Sequence, residues 1–153
     1  MIEGKYYYVK DDLTKILEIS NKVYHRNQTN YNDLLKKGLE QETIYAGAYA
    51  NCNPVAMARL QRDNQIFYID EIAVLEEEQR KGYGDFIVRM LVDKAFTLGG
   101  EEVNVLSPSH IKEFFKKIGF KPYEDDFKQD EITFTKLKIR HDDMIKKCQI
   151  HLN

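Results

Sequence analysis

The sequence contains no tryptophan, three prolines and two cysteines, and nowhere does it sustain the roughly 18 apolar residues that a membrane-spanning helix requires. Its opening residues, Met1-Ile2-Glu3-Gly4-Lys5, hold no apolar signal core, so no membrane partner is expected. Cys52 and Cys148 stand far apart without a Cys-x-x-Cys pairing. A disulfide framework is therefore not indicated, and a reducing compartment, the cytoplasm, is the expected location. His141, Cys148 and His151 lack standard zinc spacing and would need a fourth ligand such as Cys52, so no metal is expected. An excess of one charge is missing too. Lysine and arginine number 23 against 25 aspartates and glutamates, a net charge of −2, with no sustained basic stripe. That balance excludes a nucleic-acid partner.

What is present is enough apolar side chain to build a core. With 153 residues, 42% hydrophobic and 12% aromatic, the chain can fold as one domain without disulfides or metal. Residues 5–9 form a short tyrosine-rich strand, and Asp11-Asp12 offers an N-cap to a helix with Leu13, Ile16, Leu17, Ser20, Val23 and Tyr24 on one face. A polar loop follows over 25–32, and Leu34, Leu35 and Leu39 suggest a second short helix ending near Gly38. Residues 44–50 and 55–61 read as a hairpin about the turn Asn51-Cys52-Asn53-Pro54, and Arg62-Asp63-Asn64 turns the chain into a third strand. A helix then runs from Tyr83 to the stop Gly99-Gly100 and returns the chain to a parallel strand at 103–106. Ser107 or Ser109 is expected to cap the next helix, with Pro108 in its first turn and Gly119 at its end. Residues 120–123 begin another strand, and 132–139 alternate apolar and polar as a half-buried strand does. This order predicts one α/β domain over 1–140 with a mixed, mostly antiparallel sheet. Residues 141–153 are an appended segment whose Ile145, Ile150 and Leu152 would pack on the domain or on a second subunit, leaving monomer and homodimer both open.

The chemistry centres on Gln79-Arg80-Lys81-Gly82-Tyr83-Gly84, between an apolar strand and a helix. The N–H groups that open a helix lack partners within it, and the helix dipole favours negative charge there. Gly82 and Gly84 remove the side chains that would keep an anion from the backbone, and Arg80 and Lys81 add positive charge at the rim. The turn suits a diphosphate. It is not a dinucleotide fingerprint, since Ile87 stands where the third glycine would fall, and it lacks the Gly-Lys-Ser/Thr of a nucleotide-triphosphate loop.

Gln79, Gly82 and Gly84 match Gln/Arg-x-x-Gly-x-Gly/Ala, which resembles motif A of the GNAT superfamily of acetyl-coenzyme A-dependent N-acetyltransferases. Asp70-Glu71-Ile72-Ala73-Val74 looks like that family's fourth strand, and Phe114-Phe115-Lys116-Lys117-Ile118-Gly119-Phe120 like its second motif, Phe-Tyr-x-Lys-x-Gly-Phe. The likeness covers residues 66–124. It implies a GNAT-type sheet with a central, splayed parallel strand pair, a bulge in the fourth strand and helices on both faces. It further implies acetyl-CoA as cosubstrate, a primary amine of a small molecule or protein as acceptor, and direct attack. The diphosphate would lie on the amides of Gln79, Arg80, Lys81, Gly82, Tyr83 and Gly84. A backbone N–H from Ile72, Ala73 or Val74, with Val74 favoured, would stabilise the carbonyl oxygen. Residues 24–42 would bound the acceptor.

An amine with pKa near about 10.4 is neutral only about once in a few thousand molecules at pH 7, so a carboxylate base is useful. Asp70 and Glu71 interrupt an apolar strand, and strand neighbours face opposite ways, so only one of them can serve; Glu71 is preferred. The sequence departs from the family pattern at Phe115, where many members carry a tyrosine that protonates the departing thiolate, and at Pro108, where an asparagine often contacts the coenzyme. Phe115 is then either a wall of the coenzyme site or simply core, and Tyr68, Tyr83 and Tyr123 are candidate substitute acids with nothing in the sequence to select among them. Two alternatives stand beside amine acetylation: transfer of a different acyl group, and a non-catalytic acyl-CoA sensor or interaction module.

Overall fold

The computed structural model describes residues 2–24 and 42–143. The expected second helix near residues 34–39, the acceptor-bounding stretch, Cys148, His151 and the apolar tail lie outside the described residues. The elements are β1 (Ile2–Tyr8), α1 (Thr14–Tyr24), β2 (Thr43–Ala50), β3 (Asn53–Asp63), β4 (Ile66–Val74), a 3₁₀ turn (Glu76–Glu78), α2 (Tyr83–Thr97), β5 (Glu102–Pro108), a second 3₁₀ turn (Ser109–Ile111), α3 (Lys112–Ile118), β6 (Lys121–Pro122), β7 (Phe127–Gln129) and β8 (Ile132–Arg140). The strands form one sheet in the order β1-β2-β3-β4-β5-β8-β6, with β7 paired to β8. It is mostly antiparallel with one parallel pair, β4 and β5, whose connection is the α2 crossover. The mixed α/β architecture expected from the sequence is the one found.

The chain gathers into two compact units, Met1–Arg62 with Ile69–Leu91, and Asp63–Tyr68 with Val92–Asn153. In the first, β1 pairs with β2 from Ile2↔Ala50 to Tyr8↔Ile44. β2 meets β3 about a two-residue turn in which Asn51 and Cys52 both take positive φ, 50° and 69°. That conformation matches the strand twist and suits asparagine. Asp12 starts α1, its Oδ1 accepting from the Thr14 N–H at 3.0 Å and the Thr14 hydroxyl at 2.6 Å. These bonds hold the Asp12 carboxyl below its ordinary range. Ile16, Leu17 and Ile19 of α1 then pack with Tyr7, Leu13, Tyr45, Met57 and Ala73 in a buried core. Gly47 is required for this approach, since a Cβ there would meet the Ile16 side chain.

In the second unit α2 ends where the Gly99 and Gly100 N–H groups bond to the Phe96 and Ala95 carbonyls. β5 and β8 pair over their full lengths, from Glu102↔Arg140 to Pro108↔Phe134. Two local expectations are corrected. Neither Ser107 nor Ser109 caps α3. Pro108 ends β5 rather than opening the helix, a 3₁₀ turn intervenes, and the hydroxyls bond to the Pro108 carbonyl and to Asp126 and Thr135 instead. The strand expected at 120–123 is only Lys121–Pro122, and an additional strand, β7, forms a hairpin with β8 through Asp130 and Glu131, both at positive φ. Without an Asn-Gly or Asp-Gly pair, that turn has little signature in sequence.

Candidate active site

The 79–84 turn has the conformation that the sequence called for. The Leu75 N–H bonds back to the Val55 carbonyl at 3.0 Å, a 3₁₀ turn follows that the Gln79 N–H closes on the Glu76 carbonyl at 3.4 Å, and the Gln79 side-chain Nε2 donates to the Val74 carbonyl at 3.3 Å. Arg80 and Gly82 take left-handed φ of 67° and 89°. Only glycine adopts such a φ without steric cost, and a Cβ on Gly82 would meet nothing within 4 Å. The backbone is thus open to a guest. The first helical bond of α2 runs from the Phe86 N–H to the Gly82 carbonyl at 3.1 Å, so the N–H groups of Tyr83, Gly84 and Asp85 precede the helical ladder.

The charges at this rim are not as free as the sequence suggests. Lys81 donates to Glu78 at 3.0 Å, and that hydrogen bond holds its pKa above the ordinary lysine value. Among the described residues Arg80 has no carboxylate partner, and its exposed side chain supplies the unmatched positive charge. Tyr83 is buried at the start of α2, whereas Gln79, Arg80 and Lys81 are exposed.

The two β4 carboxylates differ sharply. Asp70 is bound by both arms of the Arg59 fork, Nε to Oδ1 at 2.8 Å and Nη2 to Oδ2 at 3.0 Å, and Gln61 approaches the same Oδ2 at 3.4 Å. Gln61 is itself held by the Thr43 hydroxyl at 2.6 Å. Glu71 is buried at 6% exposure; the Ser20 hydroxyl donates to its Oε1 at 2.7 Å, and Arg59 Nη1 lies 3.9 Å from its Oε2. Burial works against the charge on Arg59, but the hydrogen bonds it donates to Asp70 and the two carboxylate charges outweigh it and raise its pKa. The buried phenol of Tyr45, raised by desolvation, stands beside the same guanidinium. Arg59, Ser20 and Tyr45 were not nominated from sequence. The available signal was polarity out of place: an arginine inside the apolar run Val55-Ala56-Met57-Ala58, and a serine on the buried face of α1.

Along the rest of β4, the Ile72 carbonyl accepts from the Tyr24 hydroxyl, Ala73 is buried in the α1 core, and Val74 is half-buried. Phe115 belongs to the second unit, where it is 4% exposed and packs edge-on against Phe114 and Phe120 at 5.0 and 5.7 Å. Tyr68 and Tyr123 are exposed in that unit. A cavity of about 490 Å³ in the first unit is lined by Glu3, Lys5, Tyr7, Lys15, Tyr49 and Cys52, and none of the nominated site residues borders it. Among the described residues there is no cluster that could hold a metal ion, and no helix is long and apolar enough to cross a membrane.

Comparison with known proteins gives a consistent answer. The model of the acetyltransferase (GNAT) domain matches residues 15–141. A curated Bacillus subtilis protein, described as the uncharacterized N-acetyltransferase CgeE, is 35% identical over an alignment of 75 residues that covers 46% of this chain and 29% of that protein. The match thus spans under a third of that relative's length. Escherichia coli ElaA shares the fold with a TM-score of 0.76 at 18% identity, covering 90% of this chain and 99% of that one. A Bacillus subtilis acetyltransferase solved in complex with CoA does so at 0.67 and 20%, covering 92% and 99%.

Proposed function

The chain belongs to the acetyltransferase (GNAT) domain family, a family of CoA-dependent acyl transfer, and from that membership we propose that it moves an acetyl group from acetyl-CoA to a primary amine by direct attack. The observation that carries this reading is the 79–84 turn: an exposed strand-to-helix corner with Gly82 at φ 89° and open space beside it. Its amides from Arg80 to Gly84 would hold the donor's diphosphate, aided by the Arg80 side chain, while the Gln79 N–H is already bonded to the Glu76 carbonyl at 3.4 Å. The CoA complex of a fold relative supports the same class of donor.

In this reading Glu71 is the base. Asp70 is already committed to two bonds from Arg59, whereas Glu71 accepts a neutral hydroxyl and sits where solvent is largely excluded. Its carboxylate takes one proton from the bound ammonium. The freed nitrogen forms a bond to the thioester carbonyl carbon, the carbon–sulfur bond breaks, and the departing thiolate takes the second amine proton, leaving amide and thiol. A backbone N–H of Ile72, Ala73 or Val74 would stabilise the carbonyl oxygen as charge gathers there. Phe115 carries no proton to give, and thiols, with pKa near about 8.5, leave without a dedicated acid.

The test is a panel of primary amines offered with acetyl-CoA, following free thiol. Turnover proportional to enzyme concentration supports the reading and identifies the acceptor. Coenzyme binding without turnover on any amine would favour a sensor, and preference for another thioester would replace acetyl by that acyl group.

A further inference from the structure

We propose that Arg59 is the positioning residue that separates the roles of the two β4 carboxylates, holding Asp70 as its counter-ion and leaving Glu71 to accept the proton. The inference rests on the reading of Glu71 as the base. Arg59 is 4% exposed in the apolar middle of β3, between the buried Ala58 and Leu60. A guanidinium without compensation is strongly disfavoured in such a place, so its partners are part of the fold. It is matched asymmetrically. Its Nε and Nη2 make a two-pronged pair with Asp70 at 2.8 and 3.0 Å, the geometry in which arginine and carboxylate bind best. Its third nitrogen, Nη1, stops 3.9 Å from Glu71 Oε2, too far for a hydrogen bond but close enough for its charge to act.

The consequence is a division of labour. Two direct bonds tie Asp70 to Arg59, and Gln61, braced by Thr43, keeps it in place. Arg59 Nη1 reaches Glu71 Oε2 only at 3.9 Å, and the Ser20 hydroxyl donates to Glu71 Oε1. A buried carboxylate needs some positive charge nearby to ionise and too much would make it a poor base, so a cation shared with a second carboxylate is a suitable compromise. The charged and titratable groups near Glu71 include Arg59 from β3 and Tyr45 from β2, with Asp70 next to it in the β4 chain and the Ser20 hydroxyl from α1.

The experiment is the pH profile of kcat, measured as thiol release from acetyl-CoA with the best amine of the panel, for wild type, Glu71→Gln, Arg59→Gln, Arg59→Lys and Asp70→Asn. Glu71→Gln should lose the limb set by Glu71, leaving only the rise at higher pH where the amine deprotonates unaided. Arg59→Gln leaves two carboxylates repelling each other, and its limb should move up by about one pH unit, a tenfold loss at fixed pH on the limb. Asp70→Asn gives the whole guanidinium charge to Glu71, and its limb should move down. Arg59→Lys keeps the charge and should return the limb toward wild type. A merely structural arginine would slow all variants without these opposed shifts. If Glu71→Gln loses the limb while Arg59→Gln and Asp70→Asn move it the same way or not at all, the role of Arg59 is overturned and the base stands. If Glu71→Gln keeps the limb, both fall. Where circular dichroism shows that Arg59→Gln does not fold, Asp70→Asn decides alone, and an unmoved or raised limb overturns the inference.

Discussion

In the 79–84 turn the working groups are backbone amides supplied by consecutive, mostly exposed residues, whereas around Glu71 they are side chains brought from positions 20, 45, 59, 70 and 71 and mostly buried. Both lie in the same compact unit and both flank β4. A site made of backbone depends on conformation, so it tolerates many side chains, even Arg80 at positive φ, but is best served by glycine at Gly82, where φ is positive and the guest must approach. A site made of buried side chains depends on partners, and each member is secure only while the others are present. The first should therefore be sensitive to one or two particular substitutions, and the second to almost any.

The most severe test of this contrast is Glu71→Gln. It should lower turnover at neutral pH by about 10²–10⁴-fold, the usual worth of a general base, and less at high pH where the amine loses its proton unaided. Steady-state rates between pH 7 and 10 would show it, and a loss independent of pH would argue against a base. Next is Gly82→Val in the turn. The left-handed φ costs a β-branched residue about 1–2 kcal/mol or more, and the new side chain would fill the open space where the donor is proposed to bind. Coenzyme A affinity by calorimetry should fall at least about tenfold while circular dichroism stays native; unchanged affinity would remove the turn from the binding site. Phe115→Tyr asks whether the second unit holds a hidden acid position. Its ring packs among Phe114 and Phe120, so a hydroxyl left unpaired there should cost about 1–3 kcal/mol of stability and bring no large gain in turnover. A hundredfold gain would show that the missing hydroxyl limits the reaction. The smallest effect is expected from Asp12→Ala, which removes the cap of α1 and no member of either site. The folded Asp12 carboxyl is held below its ordinary range, so its contribution is present at neutral pH and lost as pH falls through that lowered value. The melting temperatures of variant and wild type should differ slightly at pH 7 and converge in acid.

The same contrast explains what could be read beforehand. The turn was legible because Gln79, Gly82 and Gly84 are close in sequence and their reason is local: a strand ends, a helix begins, and glycine permits the corner. Asp70 and Glu71 could be nominated as charges inside an apolar strand, but the difference between them depends on Arg59, eleven residues before Asp70, and on Ser20, fifty-one before Glu71. Long-range pairs of that kind leave no spacing to recognise. Within the fold, strands with clear alternation such as β8 were located nearly to the residue. β7 was missed because Lys128, Gln129 and Asp130 carry neither alternation nor a strong turn signal.

The β2–β3 turn has a consequence for the order of events in folding. Asn51 and Cys52 close a hairpin whose pairs are near in sequence, and hairpins of this kind form in about 1–10 μs. Arg59 lies on that hairpin, but its counter-ion is on β4 and the helix covering the same core is α1. The hairpin therefore cannot bury its own arginine profitably until β4 arrives with Asp70, and late docking of β4 is tied to completion of the charge cluster. Substitution of Asn51 by alanine should mainly slow refolding, while Asp70→Asn should mainly speed unfolding, a division that stopped-flow chevrons of the two variants would reveal.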